Sequence, residues 1–190
     1  MAAADSAGGP RGSHGARVAA YVALIAEELG FAPERCRQLS LASTLHDIGK
    51  AGVPEAIRMK RGPLTPDERG EMQRHAEHGR ALLDGSSSAV AKLAAEIAAS
   101  HHERWDGAGY PNGLRGEDIP LSGRIVAVAD VFDALTSRRP YKEPWPLDEA
   151  KAHLLESAGS HFDPTCVEAF LARWPEILRL AAAEPPTDEP

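Results

Sequence analysis

Six side chains of the kind that bind transition metals are spread along this chain. An imidazole and a carboxylate are adjacent at positions 46 and 47, a single histidine and a histidine doublet follow, and an isolated aspartate completes the set. Imidazole and carboxylate ligands suit manganese, iron and zinc, and one carboxylate can bridge two cations through its two oxygens. These residues therefore predict a binuclear centre suited to phosphate ester hydrolysis: His46, Asp47, His75, His101, His102 and Asp130.

Helical patterns in the first half of the chain position three of these residues. Apolar residues at helical spacing predict a first helix from His14 to Gly30. A second helix over 34–46 brings His46 and Asp47 to its C-terminal end, where side chains can turn inward. The capping box at 65–68, with proline at the first helical position, opens a helix that carries His75 one or two turns in.

The second half of the chain positions the other three residues. A helix after the serines at 86–88 ends at the 101–102 doublet, and Pro120 opens a helix that holds Asp130 in the middle of an apolar run, where a carboxylate needs a partner. Between them, 103–118 holds five glycines or prolines around two aromatic residues, which predicts a functional loop. Further helices are predicted near 147–158, after Asp163 and after Pro175. Because no segment alternates with period two, the fold class is all-α.

Length and composition favour one domain. The 190 residues are 43% apolar, enough for one well-buried core, and we expect a domain over 14–175, a disordered leader or linker over 1–13, and a short terminal helix with a disordered tail over 176–190. The net charge of -7 argues against a general nucleic-acid or membrane-surface binder. Two distant cysteines and the lack of a signal peptide or an 18-residue apolar run predict a cytoplasmic protein.

The remaining histidines have ordinary interpretations as well. His14 stands alone at a helix start, where a capping or surface role is common. His78 follows His75 by three residues, but no third ligand is nearby, so we assign it to the surface or to a place beside the site. His153 and His161 are assigned to the surface or the core.

Three long motifs closely resemble the HD-GYP family of cyclic di-GMP phosphodiesterases. They are HDIGK at 46–50, HHERWDGAGYP at 101–111 and DVFDALTSRRPYK at 130–142. Shorter segments resemble the family in the same order: HGARV at 14–18, KRGPLT at 60–65, HAEHG at 75–79 and HFDP at 161–164. The resemblance implies an HD-superfamily helical bundle with a glycine-rich GYP loop beside a metal site.

The family resemblance also implies roles for individual residues. It makes the six residues above metal ligands, with Asp47 as the bridge and iron or manganese as the expected metals. His14 matches a family histidine at the metal centre, and it is expected either to bind metal or to contact a residue that binds metal. Members with three metals have a glutamate four residues earlier, where this chain has Pro10, so we expect two metals.

The expected reaction opens cyclic di-GMP to linear pGpG and can continue to GMP. A hydroxide bridging two metals roughly 3.5–4 Å apart would attack the phosphorus. Asp47 and Lys50 are the predicted catalytic residues, and Lys50 lies where it can reach a phosphate or the leaving oxygen. Arg139 and Lys142 match family contacts to the substrate. With Lys50 and with Tyr110 of the GYP signature, they are the predicted substrate-binding residues.

Two other classes of function fit the same residues. One is a catalytically weak cyclic di-GMP sensor or interaction module that recruits a signalling protein through the GYP loop. The other is an HD phosphohydrolase acting on a different nucleotide, because the HD ligand set is shared by a wider superfamily. The oligomeric state stays open.

Overall fold

The computed structural model describes residues 14–138 and 143–182, and within these ranges it contains ten α-helices and no β-strand. The all-α prediction is therefore confirmed. The helices are α1 His14–Glu28, α2 Pro33–Ser43, α3 Glu55–Arg58, α4 Pro66–Gln73, α5 His75–Leu83, α6 Ala89–Ala98, α7 Leu121–Thr136, α8 Leu147–Glu156, α9 Pro164–Ala172 and α10 Trp174–Ala182.

The core lies between α1, α7 and α9, which pack against one another. Each of these helices contributes one fully buried aromatic ring, and the three rings meet edge to face. The Tyr21 and Phe132 centroids are 5.3 Å apart, Phe132 and Phe170 are 4.9 Å apart, and Tyr21 and Phe170 are 6.0 Å apart. Such pairs add about 0.5–1.5 kcal/mol each beyond the burial of their area. This cluster holds α1, which carries His14, against α7, which carries Asp130.

Local start signals match the helix starts. Thr65 accepts from the Glu68 backbone N–H while the Glu68 carboxylate accepts from the Thr65 N–H, the capping box that opens α4. Asp163 caps α9 by accepting from the Thr165 N–H at 2.8 Å. Both caps were predicted from the sequence.

The predicted helix through His75 is two helices in the structure. Helix α4 ends at Gln73, and His75 is the first residue of α5 rather than a residue one or two turns into a helix. At the junction the Arg74 N–H bonds to the Glu71 carbonyl, three residues back, and the His75 imidazole donates to the Met72 carbonyl at 2.7 Å. A side chain that takes a backbone acceptor interrupts the helical ladder, and here it turns His75 inward.

The terminal helix shares the core of the domain. The expected boundary at residue 175 falls within α10, whose Ile177 is fully buried in the same apolar cluster. The leader predicted over 1–13 and the last residues, 183–190, lie outside the described ranges. None of the described helices is long and apolar enough to cross a membrane.

Candidate metal centre

The six predicted ligands come from four parts of the fold and converge on one point. His46 and Asp47 lie in the turns after α2, just before a 3-10 turn over Ile48–Gly52, and His75 starts α5. The doublet His101-His102 lies in the turn after α6, and Asp130 lies in the middle of α7. Since these parts are distant in sequence, the centre exists only when the helices have packed.

Glycine permits the close approach of two of these parts. A Cβ on Gly49 would lie 2.0 Å from the His75 carbonyl oxygen and 2.3 Å from the Gly79 nitrogen, both backbone atoms of α5. A side chain at Gly49 is therefore excluded by sterics, and the 3-10 turn after Asp47 packs directly on the helix that starts with His75.

The two oxygens of Asp47 face different imidazoles. Oδ1 lies 3.4 Å from His75 Nε2 and 3.8 Å from His101 Nε2, whereas Oδ2 lies 3.4 Å from His46 Nε2. The ligand atoms fall into two groups, each within 4.8 Å: Asp47, His75, His101 and His102 form one group, and His14, His46 and Asp130 form the other. A carboxylate between two donor groups has the geometry to serve both.

Backbone carbonyls set the tautomers of three histidines. The Nδ1 atoms of His46 and His75 lie 2.8 Å from the Ser43 carbonyl and 2.7 Å from the Met72 carbonyl. His101 Nδ1 lies 3.1 Å from both the Ile97 and Ala98 carbonyls. Because a carbonyl only accepts, Nδ1 carries a proton in each of the three, and Nε2 is the nitrogen that faces the centre and can offer a lone pair to a cation.

Several of these inward-facing atoms have no hydrogen-bond partner. Asp47 Oδ1, His75 Nε2 and His101 Nε2 are buried and unpaired among the residues that the structure describes. Burying a polar atom without a partner costs about 1–3 kcal/mol. A divalent cation would satisfy all three at once, so the residues present fit a metal.

Burial and neighbouring charge shift the ionisation of the centre. Burial lowers the pKa of His101 far below its usual range and lowers the pKa of His102 to about 4. Both imidazoles are therefore uncharged at neutral pH and can donate a lone pair to a metal. Burial alone would raise the pKa of Asp47, but the hydrogen bond with His46 and the charge of Lys50 hold it well below the ordinary value. Burial would also raise the pKa of Asp130, but the hydrogen bond from His14 and the positive charges of His46 and His14 together lower it, so both carboxylates remain charged.

His14 lies within the centre, which excludes a surface role. Its Nε2 is 3.2 Å from Asp130 Oδ1 and 3.3 Å from His46 Nε2, and its Nδ1 is 2.7 Å from Asp133 Oδ2. Burial would lower the pKa of His14, but the hydrogen bonds to Asp130 and Asp133 raise it to about 10.

The predicted substrate contacts are only partly described. Lys50 Nζ donates to Asp47 Oδ2 at 2.5 Å, and the Tyr110 ring stacks on His102 at 4.7 Å with 26° between the planes. Arg139 and Lys142 lie outside the described residues. His78, His153 and His161 do not belong to either donor group: His161 stacks on Phe162 and His153 meets Trp145 edge on.

Sequence analysis missed two carboxylates beside the centre. Asp133 contacts His14, and the buried Glu103 accepts the backbone N–H groups of Asn112 at 2.7 Å and Leu114 at 3.0 Å. Glu103 thereby closes the GYP loop on the residue that follows the histidine doublet. Both carboxylates lie within the long motifs identified above, Glu103 directly after the histidine doublet and Asp133 three residues after Asp130. These positions beside predicted ligands were the signal that could have identified them.

The loop and its neighbours leave little freedom around Tyr110. The Tyr110 N–H donates to the His102 carbonyl at 3.2 Å, and a Cβ on Gly109 would lie 2.3 Å from the Arg104 nitrogen. The Tyr110-Pro111 peptide bond is cis. The tyrosine ring thus lies against His102, one of the predicted ligands.

Comparison with known proteins identifies the family. A family model described as HD domain matches residues 3–166. The chain belongs to the HD domain family, and its motifs and relatives fall in the HD-GYP branch of that family.

The chain is 45% identical over 174 residues to 3'3'-cGAMP-specific phosphodiesterase 2 of Vibrio cholerae, which covers 92% of this chain and 33% of that protein. It is 51% identical over 155 residues to the cyclic di-GMP phosphodiesterase response regulator of Xanthomonas campestris, covering 82% of this chain and 41% of that protein. The chain thus spans less than half the length of these curated relatives.

A solved HDG"Y"P protein from Bdellovibrio bacteriovorus has a similar fold. The TM-score is 0.67 at 22% identity, covering 85% of this chain and 51% of that chain. This likeness confirms the predicted HD helical bundle.

Proposed function

We propose that this chain is a metal-dependent phosphodiesterase that hydrolyses cyclic di-GMP to linear pGpG, which it can cleave further to GMP. The observation that carries the proposal is the Asp47 carboxylate, whose two oxygens face separate groups of imidazole donors. The name of the Xanthomonas relative, a cyclic di-GMP phosphodiesterase, supports the substrate. The proposed catalytic domain is the one predicted over 14–175 together with the rest of α10, whose Ile177 packs in the same core.

The proposed ligands are the six residues predicted from the sequence, with Asp47 shared between two cations. Iron or manganese suits this mixture of imidazole and carboxylate donors. Divalent cations at such a centre neutralise phosphate oxygens and acidify the attacking water. The positive charge of two divalent cations would exceed the negative charge of Asp47 and Asp130. This local excess favours an anionic substrate, although the chain as a whole has a net charge of -7.

The chain's own residues orient the phosphodiester. Lys50, held by Asp47, keeps an ammonium beside the centre, where it can donate to a phosphate oxygen or to the departing ribose 3' oxygen. Tyr110 is held against His102 and forms one wall of the substrate site. Arg139 and Lys142 are proposed to bind the second phosphate, as predicted from the motif at 130–142.

A second candidate substrate is 3'3'-cGAMP. The Vibrio relative named as specific for it is 45% identical over 92% of this chain, close to the identity of the cyclic di-GMP enzyme. Both dinucleotides present the same phosphodiester to the centre and differ in one base, so the reaction is the same for both.

The test is hydrolysis of both dinucleotides by protein purified without oxygen and loaded with Fe(II) or Mn(II), with products separated by chromatography. Asp47→Ala should abolish turnover, and Asp148→Ala, which removes an exposed carboxylate at the start of α8, should retain it. Preferred cleavage of 3'3'-cGAMP would reassign the substrate. If the chain binds two metals and the nucleotide but shows no turnover, the proposed phosphodiesterase activity is refuted. The result would then favour a sensor that recruits a signalling protein through the GYP loop.

The cellular location is also a proposal. Cys36 and Cys166 are the only cysteines, and both are buried free thiols, which agrees with the cytoplasm predicted from the sequence.

A further inference from the structure

Asp133 is a buried carboxylate that has no part in the six-residue ligand set. It lies one turn after Asp130 on α7 and is 1% exposed. Arg17 Nε donates to its Oδ1 at 2.6 Å, and Arg17 Nη2 donates to its Oδ2 at 3.0 Å. Ser137 Oγ lies 3.2 Å from the same Oδ2, and His14 Nδ1 lies 2.7 Å from it.

These contacts restrict the orientation and the tautomer of His14. An arginine side chain has donors only, so Asp133 accepts from Arg17 on both oxygens and remains an acceptor toward His14. The Nδ1 atom of His14 must then donate, which turns Nε2 toward His46 Nε2 at 3.3 Å and Asp130 Oδ1 at 3.2 Å.

We propose that Asp133, held in place by Arg17, is a positioning residue that directs His14 Nε2 into the second donor group, where it completes a cation position with His46 and Asp130. This inference rests on the proposed function and deepens it, because it assigns the residues that orient one of the two metal positions. Carboxylates that accept from the second nitrogen of a metal-binding histidine commonly fix its orientation.

The geometry also predicts what an amide would do at this position. In Asp133→Asn the amide nitrogen meets an Arg17 donor at either position, Nε at 2.6 Å from Oδ1 or Nη2 at 3.0 Å from Oδ2. We expect it to take the place of Oδ2, because there it gives up the longer Arg17 contact and faces two groups that can accept, His14 Nδ1 and Ser137 Oγ. It would then donate to His14 Nδ1, and the imidazole would carry its proton on Nε2. In the wild type a cation can displace a proton from Nε2 while Nδ1 keeps the proton that it donates to Asp133. In the variant the Nε2 proton is the only one on the ring, so its displacement would leave an imidazolate, and cation binding at Nε2 is weakened.

The experiment measures manganese per chain after equilibration and desalting, together with the affinity of each site by chelator competition. Wild type should hold two equivalents. Asp133→Asn should keep the equivalent at Asp47, His75, His101 and His102 and bind the other about 10–100-fold more weakly. In a His14→Ala background the same substitution should cause no further loss, because Asp133 acts through His14.

Asp163→Asn is the matched control. Asp163 is also a buried aspartate paired with an arginine, Arg124 at 2.7 Å, but it caps α9 and contacts no predicted ligand. It should keep both metals. Two manganese equivalents of wild-type affinity in Asp133→Asn, or an equal further loss in the His14→Ala background, would overturn the inference.

A measurement on the unaltered protein covers the case in which Asp133→Asn does not fold. Nitrogen NMR of the imidazoles in the zinc-loaded chain should give His14 a protonated Nδ1 and a metal-bound Nε2, and a proton on His14 Nε2 would contradict the inference. Wild type that binds two metals without turnover would refute the proposed reaction and leave this inference standing. Failure to bind metal at all would refute both.

Discussion

Gly49→Ala should separate the two parts of the chain that carry Asp47 and His75. The new Cβ would lie 2.0 Å from the His75 carbonyl oxygen, 2.3 Å from the Gly79 nitrogen and 2.8 Å from the Gly79 Cα. All three are backbone atoms, so no side-chain rotation relieves the overlap. Because ordinary contacts at a Cβ begin near 3.4 Å, α5 has to move away by more than 1 Å.

The size of the effect follows from that displacement. Overpacking of this kind costs about 1–3 kcal/mol of folding free energy. In a chain of this length each kcal/mol lowers the melting temperature by roughly 2–4 °C. The separation of Asp47 Oδ1 from His75 Nε2, 3.4 Å at present, would also increase, and a misplacement of ~1 Å can reduce turnover by about 10²-fold.

The assay is thermal unfolding of the metal-free protein combined with manganese binding and phosphodiesterase turnover. Gly70→Ala is the control, because Gly70 lies within α4, a Cβ added there would meet no neighbouring group within 4 Å, and alanine favours the helix by up to about 1 kcal/mol. Wild-type melting temperature and metal affinity in Gly49→Ala would refute the steric reasoning, since the clash involves backbone alone.

Three further predictions follow from the electrostatics and hydrogen bonds of the site. Lys50→Met should retain both metals but lower kcat/KM by about 10–100-fold, because it removes a positive charge beside the phosphate and does not remove a metal ligand. Metal content and turnover are measured on the same preparation, and loss of metal would contradict this prediction. Glu103→Gln should lower the free energy of unfolding by about 1–3 kcal/mol, because one of the two loop N–H groups loses its carboxylate acceptor. Urea unfolding measures this loss, and limited proteolysis measures the opening of the loop. An unchanged unfolding free energy and cleavage rate would exclude a role of Glu103 in loop closure. The metal-free chain should be most stable near pH 6.5. As pH falls from 6.5 toward 4, His102 and His161, whose pKa is about 4 in the folded chain, stay neutral there but take up protons in the unfolded chain, so folding stability falls. As pH rises from 6.5 toward 10, the stability that the raised pKa of His14 contributes is progressively lost. Urea titrations across this range should show both losses.

Sequence patterns predicted features that depend on neighbouring residues. The Thr65 capping box and the Asp163 cap are local, so their helix starts were correct. The apolar run around Asp130 correctly indicated a carboxylate that needs a partner, and His14 supplies one at 3.2 Å. The break before His75 was missed, because it depends on an imidazole bond to the Met72 carbonyl in a segment whose composition favours a continuous helix.

Features that depend on distant residues were not predictable in this way. Arg17 and Asp133 are 116 positions apart, and no local pattern pairs them. The role of Glu103 depends on how the loop closes through Asn112 and Leu114, which the glycine content alone does not define. The ligand assignments and the substrate contacts at Arg139 and Lys142 stay predictions.

The candidate centre draws its donors from separate parts of the fold, so metal binding there would link the folding stability of the protein to its metal supply. An unfolded chain scatters the donors, so cations bind the folded state preferentially. A cation present at a hundredfold excess over its Kd adds about 2.7 kcal/mol to folding stability. If the chain binds divalent cations as proposed, it loses that stabilisation when they run short, and a larger fraction of the chain is unfolded and open to proteolysis. A shortage of metal would then lower the amount of folded protein as well as its metal loading.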